Sequence, residues 1–211
     1  MAIAGMYTEE GEYNTRSRNI IQFMRDIGTT NYHLNYYNTV KPETDSIGVT
    51  MGWKPLSDER ILIPISVRGA NYEKEWASNI TFGSGNDTNG EAKGFSDSAT
   101  MVYNELIEYL KAQDPDAFNS DGALKGGKKF IFWIVGYSRG AVVSNITAKR
   151  LVDMCNGTQS KVYAYCFACP IGGSSLTQKS DVNYRCIHNV IDAGDFVPTI
   201  APAKMDERFE R

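Results

Sequence analysis

Three features of this sequence predict an α/β fold, with one mixed, mostly parallel sheet and helices on both faces. In the second half of the chain, continuous apolar runs alternate with segments of helical periodicity, the order of right-handed βαβ units. In the first half, two strand-like runs flank a short turn, as in a hairpin. A pentapeptide bracketed by glycines joins one apolar run directly to the helix behind it.

Taken in order, residues 16–27 carry Ile20, Ile21, Phe23, Met24 and Ile27 at helical spacing and stop at Gly28. Residues 46–53 and 60–67 read as two strands joined by Lys54-Pro55-Leu56-Ser57-Asp58. Residues 71–93 are rich in Gly, Asn, Ser and Asp around a short amphipathic piece at 72–80. A strong helix is predicted over 95–112, with Ala99, Val102, Tyr103, Leu106, Tyr109 and Leu110 on one side. After a polar loop, residues 130–135 read as a parallel strand buried on both faces. Then come a helix over 141–154, a second buried strand over 161–168 and a third over 184–191. No repeat or long linker divides the chain, so residues 1–211 are expected to form a single domain.

Composition excludes several function classes. The chain is 42% hydrophobic and 22% charged, as in an ordinary globule. Its net charge of −3, with no basic stripe, leaves no footprint for nucleic acid or anionic lipid. The longest apolar runs, at 61–67 and 130–135, fall far short of the roughly 18 residues of a membrane span. Residues 1–13 are acidic and lack the features of a signal peptide, which fits either a cytoplasmic chain or one whose leader has been removed.

Four cysteines, at 155, 166, 169 and 186, are too few for a disulfide scaffold. Cys166 and Cys169 form a CxxC, but a zinc site would need a second ligand pair, and His33 and His188 stand at no supporting spacing. The pair lies in an apolar stretch rather than at a helix start, so structural packing is the expected role. The sequons at Asn79, Asn86, Asn145 and Asn156 read as chance, since Asn145 falls in a predicted core helix.

The chemistry is expected at Gly136-Tyr137-Ser138-Arg139-Gly140, a G-x-S-x-G directly between a buried strand and a helix. A sharp strand-to-helix turn holds such a serine in a strained conformation, and glycines on either side remove Cβ atoms that would collide. The turn projects the Ser138 hydroxyl above the sheet edge. It also aims the Arg139 backbone N–H, at the positive end of the helix, toward charge forming at an attacked carbonyl. The competing reading is a tight glycine turn whose serine caps the helix.

Further motifs stand around it. Residues 61–67 lead into Arg68-Gly69-Ala70, Trp76 follows, Lys93-Gly94-Phe95 opens the long helix, and Asp195-Phe196-Val197-Pro198 comes after the last strand. In this order the elements resemble the class 3 lipase family of α/β-hydrolases, as a bacterial-type member, over roughly residues 46–202. The resemblance implies that Ser138 is the nucleophile and Asp195 the acid that orients a histidine. It implies oxyanion-hole N–H groups from Ala70 and Arg139, and a lid at 71–93 carrying Tyr72, Trp76, Ile80 and Phe82, with Tyr137 beside the substrate. Those four lid residues read equally as the packing of a surface loop. Ala70 stands where family members commonly have serine or threonine, so a side-chain donor is missing; one lost donor costs roughly 3 kcal/mol of transition-state stabilisation. The implied substrate is a lipid or other carboxylic ester, with no metal or organic cofactor, and the resemblance tilts the location toward secretion.

The residues alone leave Asp192 and Asp195 as competing acids after the last strand, an Asx turn being the alternative role for each. The resemblance selects Asp195. A triad on this fold runs Ser, Asp, His, yet no histidine follows Asp195. The family's chain continues past this point through a further strand and a histidine-bearing segment. The expectation is therefore a histidine supplied from beyond residue 211, or by a separate C-terminal fragment. A catalytically silent hydrolase-like scaffold and an acyltransferase are the alternatives.

Overall fold

A computed structural model describes residues 13–35, 47–57, 59–69, 91, 93–172 and 181–195. Helix α1 spans Tyr13–Asp26, α2 Lys93–Gln113 and α3 Arg139–Cys155. The strands are β1 (Asn31–Asn35), β2 (Val49–Pro55), β3 (Ile61–Val67), β4 (Phe130–Tyr137), β5 (Lys161–Phe167) and β6 (Ile187–Val190). Among the described residues these six form one sheet in sequence order. β2 runs antiparallel to both its neighbours, β1 and β3, whereas β3 to β6 are parallel neighbours. The architecture is thus an α/β fold with a mixed, mostly parallel sheet, as the sequence predicts.

One face of the sheet builds the core. Ile63, Ile65, Phe132, Ile134, Ala164 and Cys166 line it and are buried together with Phe95, Ala99, Val102 and Leu106 of α2 and Ala141, Val143 and Leu151 of α3. The apolar spacing read for α2 is the stripe it buries. α3 is buried on most sides over residues 139–148, packed on β3, β4 and β5 and flanked by α2. α1 covers part of the other face, through Ile20 and Met24, both fully buried, and through Phe23 against Trp133 at a ring separation of 6.3 Å. It ends where expected: Gly28, at φ 76°, donates to Arg25, and the Thr29 N–H reaches back to the Met24 carbonyl.

Three expectations need correction. β5 is not buried on both faces: Val162, Ala164 and Cys166 are buried, while Lys161, Tyr163 and Tyr165 alternate with them in solvent. β4 is buried at Phe130, Phe132 and Ile134 on the α2–α3 side, while on its other face Val135 is buried but Ile131 and Trp133 are half-buried. The last strand begins at Ile187, preceded by a 3₁₀ turn at Val182–Tyr184, and is not buried: Ile187 is half-buried and His188, Asn189 and Val190 are exposed. β1 is an added strand. No described helix is long and apolar enough to cross a membrane.

Candidate active site

β4 delivers the pentapeptide to the C-terminal end of the parallel strands, where it turns into α3 at Ser138. The turn has the predicted geometry. Ser138 adopts φ 53° and ψ −124°, a region non-glycine residues occupy at a cost of about 1–3 kcal/mol. Neighbouring backbone holds it there. The Ser138 N–H donates to the Phe167 carbonyl at 2.9 Å, and the Ser138 carbonyl accepts from Ala141 N–H at 2.9 Å. The hydroxyl makes no capping hydrogen bond to α3, and the residue is half-buried. The helix-cap reading therefore falls.

Both glycines are sterically required. A Cβ at Gly136 would lie 2.1 Å from the Gly140 carbonyl oxygen, and one at Gly140 would lie 2.5 Å from the Val67 oxygen and 2.6 Å from the Arg68 oxygen. The end of β3 therefore lies directly against the first turn of α3. A Cβ at Gly69 would meet the Tyr137 carbonyl oxygen at 3.0 Å, so the Arg68-Gly69 segment leads past the turn as it leaves the sheet. Ala70, Tyr72, Trp76, Ile80 and Phe82, and most of the 71–93 insertion, lie outside the described residues, as do Asn79, Asn86 and Phe196-Val197-Pro198. Tyr137 is half-buried at the end of β4.

Arg139 opens α3 with its side chain buried, and its Nη2 donates to the Oγ of Ser98 on α2 at 3.2 Å. Sequence reasoning passed over Ser98. Its only trace was a polar residue on the apolar stripe that also carries Phe95 and Ala99.

After β6 the two acids separate. Asp192 is taken up by an Asx turn, its Oδ1 accepting from Gly194 N–H at 2.8 Å. Asp195 follows, half-buried, its N–H donating to the Asp192 carbonyl at 3.1 Å. β4 and β6 are parallel with β5 between them, so Ser138 and Asp195 come off the same end of the sheet, two strands apart.

Neither histidine of the chain stands at this turn. His33 is on β1, at the far edge of the sheet, where its Nε2 lies 2.6 Å from Glu105 Oε1. His188 on β6 is exposed and stacks on Tyr165 at 5.2 Å, paired in register with the middle of β5. Of the CxxC, Cys166 is fully buried on β5 and Cys169 lies in the loop after it. Burial pushes the Cys169 thiol up to about 12 and the Cys166 thiol higher still, the opposite of a redox-active pair. Asn145, half-buried on α3, donates to Asn189. A cleft of about 380 Å³ lies between the end of α3 and the start of β5, lined by Asp153, Cys155, Lys161, Tyr184 and Cys186. That is the end of the parallel strands away from Ser138.

A mixed sheet with a serine-bearing turn at the C-terminal end of a central strand is a lipase-like α/β fold. The chain belongs to the class 3 lipase family, whose model, Lipase (class 3), matches residues 64–205. Among solved structures it is similar to the M37 lipase, with a TM-score of 0.61 at 13% identity, covering 93% of this chain and 66% of that one. It is also similar to the triacylglyceride lipase of Rhizomucor miehei, with a TM-score of 0.55 at 21% identity over 88% of this chain and 69% of that one. A fungal lipase in complex with an inhibitor gives a TM-score of 0.53 at 20% identity over 82% and 62% of the two chains. At these identities the likeness is one of fold. The chain is thus shorter than the lipases it resembles. Comparison with curated proteins gives no match.

Proposed function

We propose that this protein is a serine hydrolase of carboxylic esters, acting on lipid or short-chain acyl esters. Ser138 attacks the ester carbonyl, a histidine takes its proton, and Asp195 orients that histidine. The N–H groups of Ala70 and Arg139 receive the oxyanion, an acyl-enzyme forms, and water releases the acid. Residues 71–93, with Tyr72, Trp76, Ile80 and Phe82, cover the substrate, and Tyr137 lines its path.

One observation carries the reading. Ser138 is a non-glycine residue at φ 53°, on a strand-to-helix turn, with its hydroxyl left out of helix capping. Glu59 and Ala168 also stand at positive φ, so what supports the reading is the combination at Ser138 of that backbone, a strand-to-helix turn and a hydroxyl not spent on capping.

Strand spacing says why a histidine is needed. One strand, β5, lies between β4 and β6, which sets the strand ends leading to Ser138 and Asp195 about 10 Å apart. A hydrogen bond reaches about 3 Å, so an imidazole must bridge the hydroxyl and the carboxylate. His33 and His188 do not suit that role, and the histidine comes from a segment beyond residue 211 or from a separate C-terminal fragment. The test is ester turnover by the full-length protein. Ser138→Ala is expected to lower kcat on p-nitrophenyl esters by at least about 10⁴-fold. Retained turnover would remove Ser138 from the mechanism.

The remote histidines also favour a second reading, a hydrolase-like scaffold without catalysis. Purified full-length protein that turns over no ester of any chain length would select it.

A further inference from the structure

We infer that Ser98 is a positioning residue for the reaction at Ser138, acting through the side chain of Arg139; the inference rests on the reading of Ser138 as nucleophile. Arg139 is the first residue of α3, the end at which backbone N–H groups already gather positive charge. A cation is disfavoured there, and taking its guanidinium out of water adds to the cost. Yet Arg139 is only 3% exposed, and its Nη2 donates to Ser98 Oγ at 3.2 Å. Ser98 is itself 0% exposed, on the stripe of α2 that includes Phe95, Ala99 and Val102.

What the hydrogen bond adds is direction. The guanidinium is a planar fork with fixed donor geometry, so holding its end at Ser98 limits rotation of residue 139 about the helix start. That rotation sets where the Arg139 backbone N–H points relative to Ser138. The same turn is confined from two other sides, by the β3 carbonyls against Gly140 and by Gly172 against Val142. Ser98 supplies the constraint from α2.

The test uses full-length protein and p-nitrophenyl butyrate, with kcat and KM separated and thermal melting recorded for each variant. Ser98→Ala is expected to lower kcat about 10-fold, with KM and melting unchanged, because small misalignments of a reacting group carry large rate penalties. Ser98→Thr keeps the hydroxyl and is expected to recover the wild-type kcat. Arg139→Met removes the Ser98 contact together with every other contact of that side chain and must lower kcat at least as much, which keeps the test open should Ser98→Ala not fold. An unchanged kcat in Ser98→Ala, or a fall that Ser98→Thr does not recover, overturns the proposal. Ser138→Ala in the same series separates the two readings. If it retains turnover, or the wild type has none, the nucleophile assignment fails. If it alone loses turnover, only the role of Ser98 fails.

Discussion

Gly136 leaves no space for a methyl group, because a Cβ there would overlap the Gly140 carbonyl and approach Ser144 Oγ at 2.6 Å. Both obstacles belong to α3, so the helix itself would have to move. Gly136→Ala is accordingly expected to cost at least about 3 kcal/mol, read as a lowered denaturation midpoint or loss of soluble protein. A substitution at Gly127, where nothing stands within 4 Å of a Cβ, is the matched control and should be nearly neutral. The turn was legible in the sequence because its constraint is local: two glycines at fixed offsets from a serine, between an apolar run and a helix. Ser98 was not legible, since its importance comes from Arg139, 41 positions along the chain, a distance no spacing encodes.

At the scale of elements, the α2–α3 layer carries most of the packing on the inner face of the sheet. Leu106 on α2 is fully buried in it, and Leu106→Ala is expected to cost about 2–5 kcal/mol in chemical denaturation. Tyr163→Ala, on the exposed face of β5 at 45% accessibility, should change stability far less. That contrast follows from the alternation sequence reading missed. Tyrosine counts as apolar in a run, yet its amphipathic ring serves equally well half in solvent. β1 was missed for the converse reason: Asn31, His33 and Asn35 interrupt the apolar signal, and pairing with β2 rather than side-chain character defines the strand. α2 and α3 were read closely because long helical periodicities average over many positions.

At the scale of the molecule, burial ties stability to alkaline pH. Burial, with a smaller contribution from Cys186, pushes the Cys155 thiol up to about 12, and burial does the same to Cys169. Tyr184 is raised to about 12, chiefly by donating its hydroxyl hydrogen bond to Asp153. These groups favour the protonated form more strongly in the folded state than in the unfolded one. Their contribution is therefore complete below the ordinary thiol value of 9.0 and is lost as pH rises toward 12. The urea midpoint should be independent of these groups between about pH 7 and 9 and fall above that; a midpoint that held constant to pH 11 would contradict this.

The proposed site is likewise a property of the whole sheet, since β3, β4 and β6 are parallel and end on the same side. The central claim is that the Ser138 hydroxyl is an activated nucleophile at that end. Its most direct measurement is reaction of intact full-length protein with a fluorophosphonate, followed by peptide mapping of the adduct. The expected result is a single adduct on Ser138 that disappears in Ser138→Ala. An adduct on another residue, or one that persists in Ser138→Ala, would contradict the claim.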